Sequence, residues 1–148
     1  MIQTHLKEAI SRVMETMFFL PVEFPDVPGA LWEWFSREGK VLEALIDFQG
    51  SRSGRGFLLV PVQGLKEMAS NFLGLREAEV SEEQVQATLR EAINMMTGQM
   101  LSLLDRGEGV RSGFHALQAK GTSRMPEERR APGCFSSLKQ KETIWRPA

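Results

Sequence analysis

The sequence predicts an α/β domain of the α+β kind, an antiparallel sheet covered by helices in a sandwich-like arrangement. Two observations carry this. The run Val41 to Phe48 alternates apolar and polar residues and is followed, after a short Gly/Ser-rich stretch, by a second apolar run, which reads as an antiparallel hairpin. Around it lie three segments whose apolar residues recur at three- and four-residue steps, the mark of amphipathic helices.

The first of these helices carries Leu6, Ile10, Val13, Met14 and Met17 on one face, and Pro21 is expected to stop it. Pro25, Pro28 and Gly29 mark a turn-rich connection. Ala30 to Phe35 is ambiguous, although Trp32 and Trp34 alternating with Glu33 favour a strand. In the hairpin, Leu42, Ala44, Ile46 and Phe48 share one face, with Glu43 and Asp47 on the other. The loop is Gly50-Ser51-Arg52-Ser53-Gly54, and the second strand runs from Gly56 to Val62. Leu65, Met68, Ala69 and Phe72 form the next helical stripe, ended by Gly74. The longest helix starts at Ser81, which with Gln84 makes a capping-box pattern, and Glu82 and Glu83 suit its positive end. It is expected to run to about Leu104 and to end at Gly107 and Gly109.

The chain has 148 residues, of which 42% are hydrophobic and 25% charged, so it fits one globular domain. Eighteen basic against nineteen acidic groups leave a net charge of −1, which argues against a nucleic-acid binder. The longest apolar run, Met17 to Val22, is far shorter than the roughly 20 residues that span a bilayer, and the charged first helix is no signal peptide. A cytoplasmic protein without membrane attachment is the expectation. The lone Cys134 excludes an internal disulfide and a multi-cysteine zinc site and reads as an inert thiol. His5 and His115 are isolated and read as surface or satisfied histidines rather than ligands. No metal site is expected in this chain.

On the longest helix, successive residues are turned by about 100°. With Glu91 at zero, Val85, Leu89, Ala92, Ile93, Met96, Met100 and Leu103 fall between roughly 100° and 200° and form the core side. Glu91, Asn94 and Gly98 share the opposite, outward face, with Met95 expected as an exposed, adaptable flank for a partner. A mid-helix glycine costs about 1 kcal/mol relative to alanine, and one reason to tolerate it is close approach by another molecule. Such a trio also occurs on ordinary solvated faces, and Gly98 equally suits a neighbouring element of the same fold.

The string EAINMMTG, residues 91–98, resembles the signature helix of the CheX/CheC chemotaxis phosphatases: a glutamate, an asparagine three residues on, and a glycine four further. The context is similar as well. It comprises the hairpin ALIDFQGSRSGRGFLLVPV, a short helix ending in Leu73-Gly74, an acidic linker before the long helix, and the opening METMFFLPV. The resemblance covers about residues 6–105. It implies a phosphatase acting on a phosphorylated CheY-type response regulator, with an acyl phosphate on an aspartate as substrate. Carried over by position, Glu91 docks by pairing with a lysine of the regulator, and Asn94 orients the attacking water. The regulator supplies Mg²⁺, so this chain needs no cofactor of its own. A second signature helix, as CheC proteins often carry, is not matched: the first helix offers Glu8 with Ser11 and Glu15 with Phe18, and no asparagine. A single site as in CheX is implied, and a homodimer paired through the sheet is a further option. A catalytically silent CheX-like module that only binds a signalling partner is the alternative, and a purely structural domain the third.

The charge divides unevenly. Residues 1–98 hold nine basic and fourteen acidic groups, residues 99–148 nine basic and five acidic. The core is accordingly read as 1–106, with 107–148 a diverged C-terminal segment, either part of the same domain or disordered. Gly, Pro, Ser and charge dominate it, which reads as loop rather than buried strand, with short strands allowed at Cys134-Phe135 and Thr143 to Trp145. Either it is a diverged basic tail, solvated through Arg129, Arg130, Lys139, Lys141 and Arg146, or the reading frame changes near residue 112. Without returning strands the sheet would keep an unpaired edge.

Overall fold

Helix α1 (Ile2–Met17) buries Ala9, Ile10, Val13 and Met14, the face its apolar spacing defines. This computed structural model describes residues 2–24, 40–49, 53–108, 115–116, 120–122 and 146–147, with side chains described up to Asp105. The helix ends four residues before Pro21, earlier than expected, because the chain turns at Phe19, whose φ of 55° lies in the left-handed region. The N–H groups of Phe18 and Leu20 both donate to the Met14 carbonyl, at 3.2 and 3.1 Å, and hold this turn. Phe18 drops into the core while Met17 and Phe19 stay exposed, Phe19 at 71%. Met17 therefore leaves the stripe assigned to it, since the last turn has run past the surface that covers the helix.

After β1 (Val22–Glu23), the hairpin strands β2 (Val41–Gln49) and β3 (Gly54–Pro61) pair antiparallel from Val41↔Pro61 to Phe48↔Gly54. Leu42, Ala44 and Ile46 are buried as the alternation requires, and Glu43 and Asp47 lie on the other face, where Arg55 grips Asp47 through two N–H donors at 2.6 and 3.0 Å. The second strand is displaced from its expected span of Gly56 to Val62. Pairing begins at Gly54, and Val62 already opens the next helix, because Pro61 (φ −58°, ψ 140°) takes the extended geometry that precedes a helical turn.

Helix α2 (Val62–Leu73) buries Leu65, Met68 and Ala69 and half-buries Phe72. Gly74 terminates it in left-handed geometry (φ 67°), with its N–H and that of Leu75 on the Ser70 carbonyl. The Asn71 amide donates to the Phe18 carbonyl at 2.8 Å, and the Phe18 and Phe72 rings meet at 5.4 Å, so α2 is pinned to the end of α1. A short 3-10 turn (Glu77–Glu79) follows, in which Arg76 pairs with Glu79 at 2.8 Å and holds its carboxyl below the usual carboxylate range. Helix α3 (Glu82–Glu108) then starts at the expected capping box. The Ser81 N–H donates to Gln84 Oε1 at 2.8 Å, and the Gln84 N–H donates to Ser81 Oγ at 3.2 Å. Its helical backbone continues through Gly107 to Glu108, beyond the expected end near Leu104. One glycine weakens a helix by about 1 kcal/mol without breaking it.

The core is shared by α1, α2, α3 and the inner face of the hairpin, with Phe18, Met14, Ile46, Leu65, Met68, Leu89 and Val60 wholly enclosed. At Gly56, opposite Ile46, an added Cβ would stand 3.3 Å from Ile46 Cγ2 and 3.9 Å from Thr97 Oγ1, so β3 passes close beneath α3.

In the C-terminal segment seven residues are described as short strands, which the loop-like composition there does not announce. Strands β4 (His115–Ala116) and β5 (Lys120–Thr122) both pair with β2 on the side away from β3, and β6 (Arg146–Pro147) pairs with β1. These pairings cover the edge of β2 that faces away from β3. Strand pairing uses backbone N–H and C=O groups, which a sequence without apolar alternation still carries. His5 also departs from expectation. Its Nδ1 is buried without a hydrogen-bond partner among the described residues. The strand at Ala30 to Phe35, the turn at Pro25 to Gly29, the loop tip 50–52, Cys134-Phe135, Thr143 to Trp145 and the tail cations before Arg146 lie outside the described residues.

Two stability changes follow. Ser81→Ala removes one half of the capping box and should lower the unfolding free energy by about 1 kcal/mol in urea denaturation. Phe19→Gly should raise it by about 1 kcal/mol, because glycine accepts the left-handed turn and the exposed ring contributes little packing.

Candidate functional site

Helix α3 sets every candidate residue. Val85, Leu89, Ala92, Ile93 and Met96 are buried as the helical spacing requires, so the rotation of the helix is the expected one. The buried arc is nevertheless wider. Thr88, Thr97 and Leu101 are also buried, while Met100 and Leu103 are only half-buried. The reason is that α3 packs against three neighbours, the sheet, α1 and α2, and not against a single covering surface. Thr88 tolerates burial because its hydroxyl donates to the Gln84 carbonyl at 2.8 Å.

What remains outward is a narrow strip. Glu91 and Gly98 are exposed, and Asn94 between them is half-buried. Asn94 lies one turn beyond Glu91, where side chains three apart are neighbours. Half-burial restricts the Asn94 rotamer, while the strip stays open to a visitor. Neither Glu91 nor Asn94 forms a hydrogen bond or ion pair among the described residues. Among the described residues the carboxylate is thus an unused charge. The carboxamide keeps a donor and an acceptor, enough to hold a water molecule in one orientation.

Gly98 resolves one ambiguity of the sequence. An added Cβ there would meet nothing within 4 Å, so no described element of the fold needs the missing side chain. Met95 is a correction. It is half-buried and packs on the core cluster instead of standing exposed, because α1 and α2 flank α3 beyond the stripe that one covering surface would define. It borders the strip as a packed wall.

Arg90, which the sequence reading does not single out, is the other neighbour of Asn94, four residues before it and half-buried. Its spacing from Asn94 is the signal that was available. Among the described residues no three His, Cys, Asp or Glu side chains gather where they could hold a metal ion, and no helix is long and apolar enough to cross a membrane.

Comparison with known proteins gives the fold and the family. A search of curated proteins returns no match. Among solved structures, the chemotaxis protein CheX from Vibrio vulnificus matches with a TM-score of 0.64 at 21% identity, over 82% of this chain and 74% of that one. CheX from Desulfovibrio desulfuricans matches at 0.63 and 15% identity, over 83% and 77%. The CheX of a CheX–CheY–BeF3–Mg²⁺ complex from Borrelia burgdorferi matches at 0.63 and 16% identity, over 90% and 83%. These likenesses establish a shared fold. The family model for the chemotaxis phosphatase CheX matches residues 42–117, just over half of the chain, from the hairpin through all of α3 to β4. The chain belongs to the CheX family of chemotaxis phosphatases.

Proposed function

We propose that this protein hydrolyses the acyl phosphate of a phosphorylated CheY-type response regulator, and that the outward strip of α3 is where it does so. The observation that carries the reading is the pair of unengaged polar groups on one turn, Glu91 and Asn94, next to a glycine that nothing in the described fold requires. Family membership supports the reaction class, and the relative from Borrelia burgdorferi, in complex with CheY, BeF3 and Mg²⁺, supports the kind of partner.

Phosphoryl transfer to water asks mainly for positioning and charge stabilisation. Water attacks phosphorus in line, the bond to the aspartyl oxygen breaks, and inorganic phosphate and a free aspartate carboxylate result. Asn94 holds the water through its carbonyl and amide together, adding no negative charge beside the phosphoryl group. Glu91 docks on a lysine of the regulator by a charge-assisted contact. Mg²⁺ belongs to the regulator in this scheme. Gly98 lets the partner backbone come close one turn further on.

Three outcomes test it. Phosphate release from a CheY-type regulator phosphorylated with acetyl phosphate should fall about 100-fold or more in Asn94→Ala, with the melting temperature unchanged. Undiminished release in that variant removes the catalytic assignment, and binding without release by the wild type favours the silent module. Glu91→Ala should act on docking, raising KM by roughly tenfold with a smaller effect on kcat. Gly98→Leu should leave the fold as stable or more so, since a side chain there meets open space, yet abolish regulator binding in a pull-down. Binding retained by Gly98→Leu shows that the partner docks elsewhere.

A further inference from the structure

Four arginine side chains are described, and three of them are spoken for. Arg12 pairs with Glu8 at 3.3 Å, Arg55 with Asp47 at 2.6 Å and Arg76 with Glu79 at 2.8 Å. Arg90 makes no ion pair or hydrogen bond among the described residues, although acids stand close to it in the sequence. It does not neutralise Glu91, because adjacent residues on a helix diverge by about 100°. Asn94 sits between the two in angle and one turn further along. Helical side chains lean toward the N-terminus, so the Asn94 carboxamide overlies the turn that carries both charges. A cation and an anion thus straddle the amide on one rigid turn.

Resting on the regulator-directed reading above, we propose that Arg90 is a specificity-determining residue, which recognises the phosphoryl group on the partner and so selects the phosphorylated regulator over the bare one. An acyl phosphate presents anionic oxygens at the point where Asn94 is to place its water. Guanidinium is the side chain best shaped for them, offering a planar fork of N–H donors that lysine lacks. Glu91, on the other flank, meets a cation present whether or not the regulator is phosphorylated. The two charges therefore act separately. Glu91 fixes the orientation of docking, and Arg90 reads the state of the aspartate. Arg90 as a whole is half-buried, which leaves it fewer rotamers to lose than a fully exposed arginine would have.

The test is a ratio of affinities. Binding of the full chain to the CheY-type regulator of the same organism is measured by calorimetry with Mg²⁺ alone and with Mg²⁺ and beryllofluoride, a phosphoryl mimic. The wild type should prefer the loaded regulator. Arg90→Gln should cut that preference about tenfold, or about 1.4 kcal/mol, chiefly by weakening the loaded complex. Arg90→Lys, which keeps stem and charge, should cut it about threefold at an unchanged melting temperature. A preference equal to wild type in both variants, or in Arg90→Lys alone if Arg90→Gln does not fold, overturns the assignment. Failure of the underlying reading looks different: the wild type binds neither form, or Asn94→Ala turns over normally.

Discussion

The site depends on how α3 is seated. Five side chains, Val85, Leu89, Ala92, Ile93 and Met96, are buried along this helix. The four larger ones are each worth up to about 1.5–3 kcal/mol when fully enclosed, and the Ala92 methyl about 0.8 kcal/mol. A helix is stiff, so fixing that face fixes the direction of every other residue on it. A slip of one position would turn the helix by about 100° and carry Asn94 out of the strip. Summed burial also exceeds the roughly 1 kcal/mol that Gly98 takes from the helix, so the open notch is sustained by packing elsewhere on the same rod. The narrow approach of β3 at Gly56, beneath Thr97, belongs to this seating, because a bulkier residue there would push the helix away from the sheet.

Much of this was legible in the sequence, and the rest was hidden for identifiable reasons. The capping box at Ser81 and Gln84 is a local interaction, and it forms as its residues imply. The hairpin face of Leu42, Ala44 and Ile46 follows from strand alternation alone. Met95, Thr88, Thr97 and Leu101 were not legible, because a helical stripe read from the sequence assumes one covering surface. Here three elements cover α3, and an arc that wide takes in positions of any polarity. The left-handed turn at Phe19 escapes for a different reason. Glycine or asparagine usually announces such a residue, as Gly74 does at the end of α2, whereas an aromatic gives no sign of it. Strands β4 and β5 were concealed because backbone hydrogen bonding leaves no trace in side-chain pattern.

Glu91 and Asn94 differ in how the fold treats them, and the difference matches what each group can do. An exposed carboxylate pays little for having no partner among the described residues, since water solvates it, and it remains available at long range to a cationic partner. In the role proposed for Asn94, an amide that orients a water molecule needs a restricted rotamer more than it needs reach. Half-burial supplies that restriction without enlisting its polar atoms. The rigidity comes from the helix and its packing, and the polar atoms of both groups have no partner among the described residues.

The charges around that amide add a constraint on the visitor. On the surface of one helix, opposite charges normally pair at three- or four-residue spacing and so cancel. Here Arg90 and Glu91 are consecutive, and geometry keeps them apart. A surface that displays both signs a short distance apart repels a partner patch of uniform charge at one point or another, and fits one whose cation and anion are likewise side by side. On the proposed reading a phosphorylated carboxylate near a lysine is such a patch, and hydrolysis cuts its anionic half down to the bare carboxylate. On that reading product offers Arg90 fewer anionic oxygens than substrate did. That asymmetry favours release after hydrolysis and requires no movement of α3.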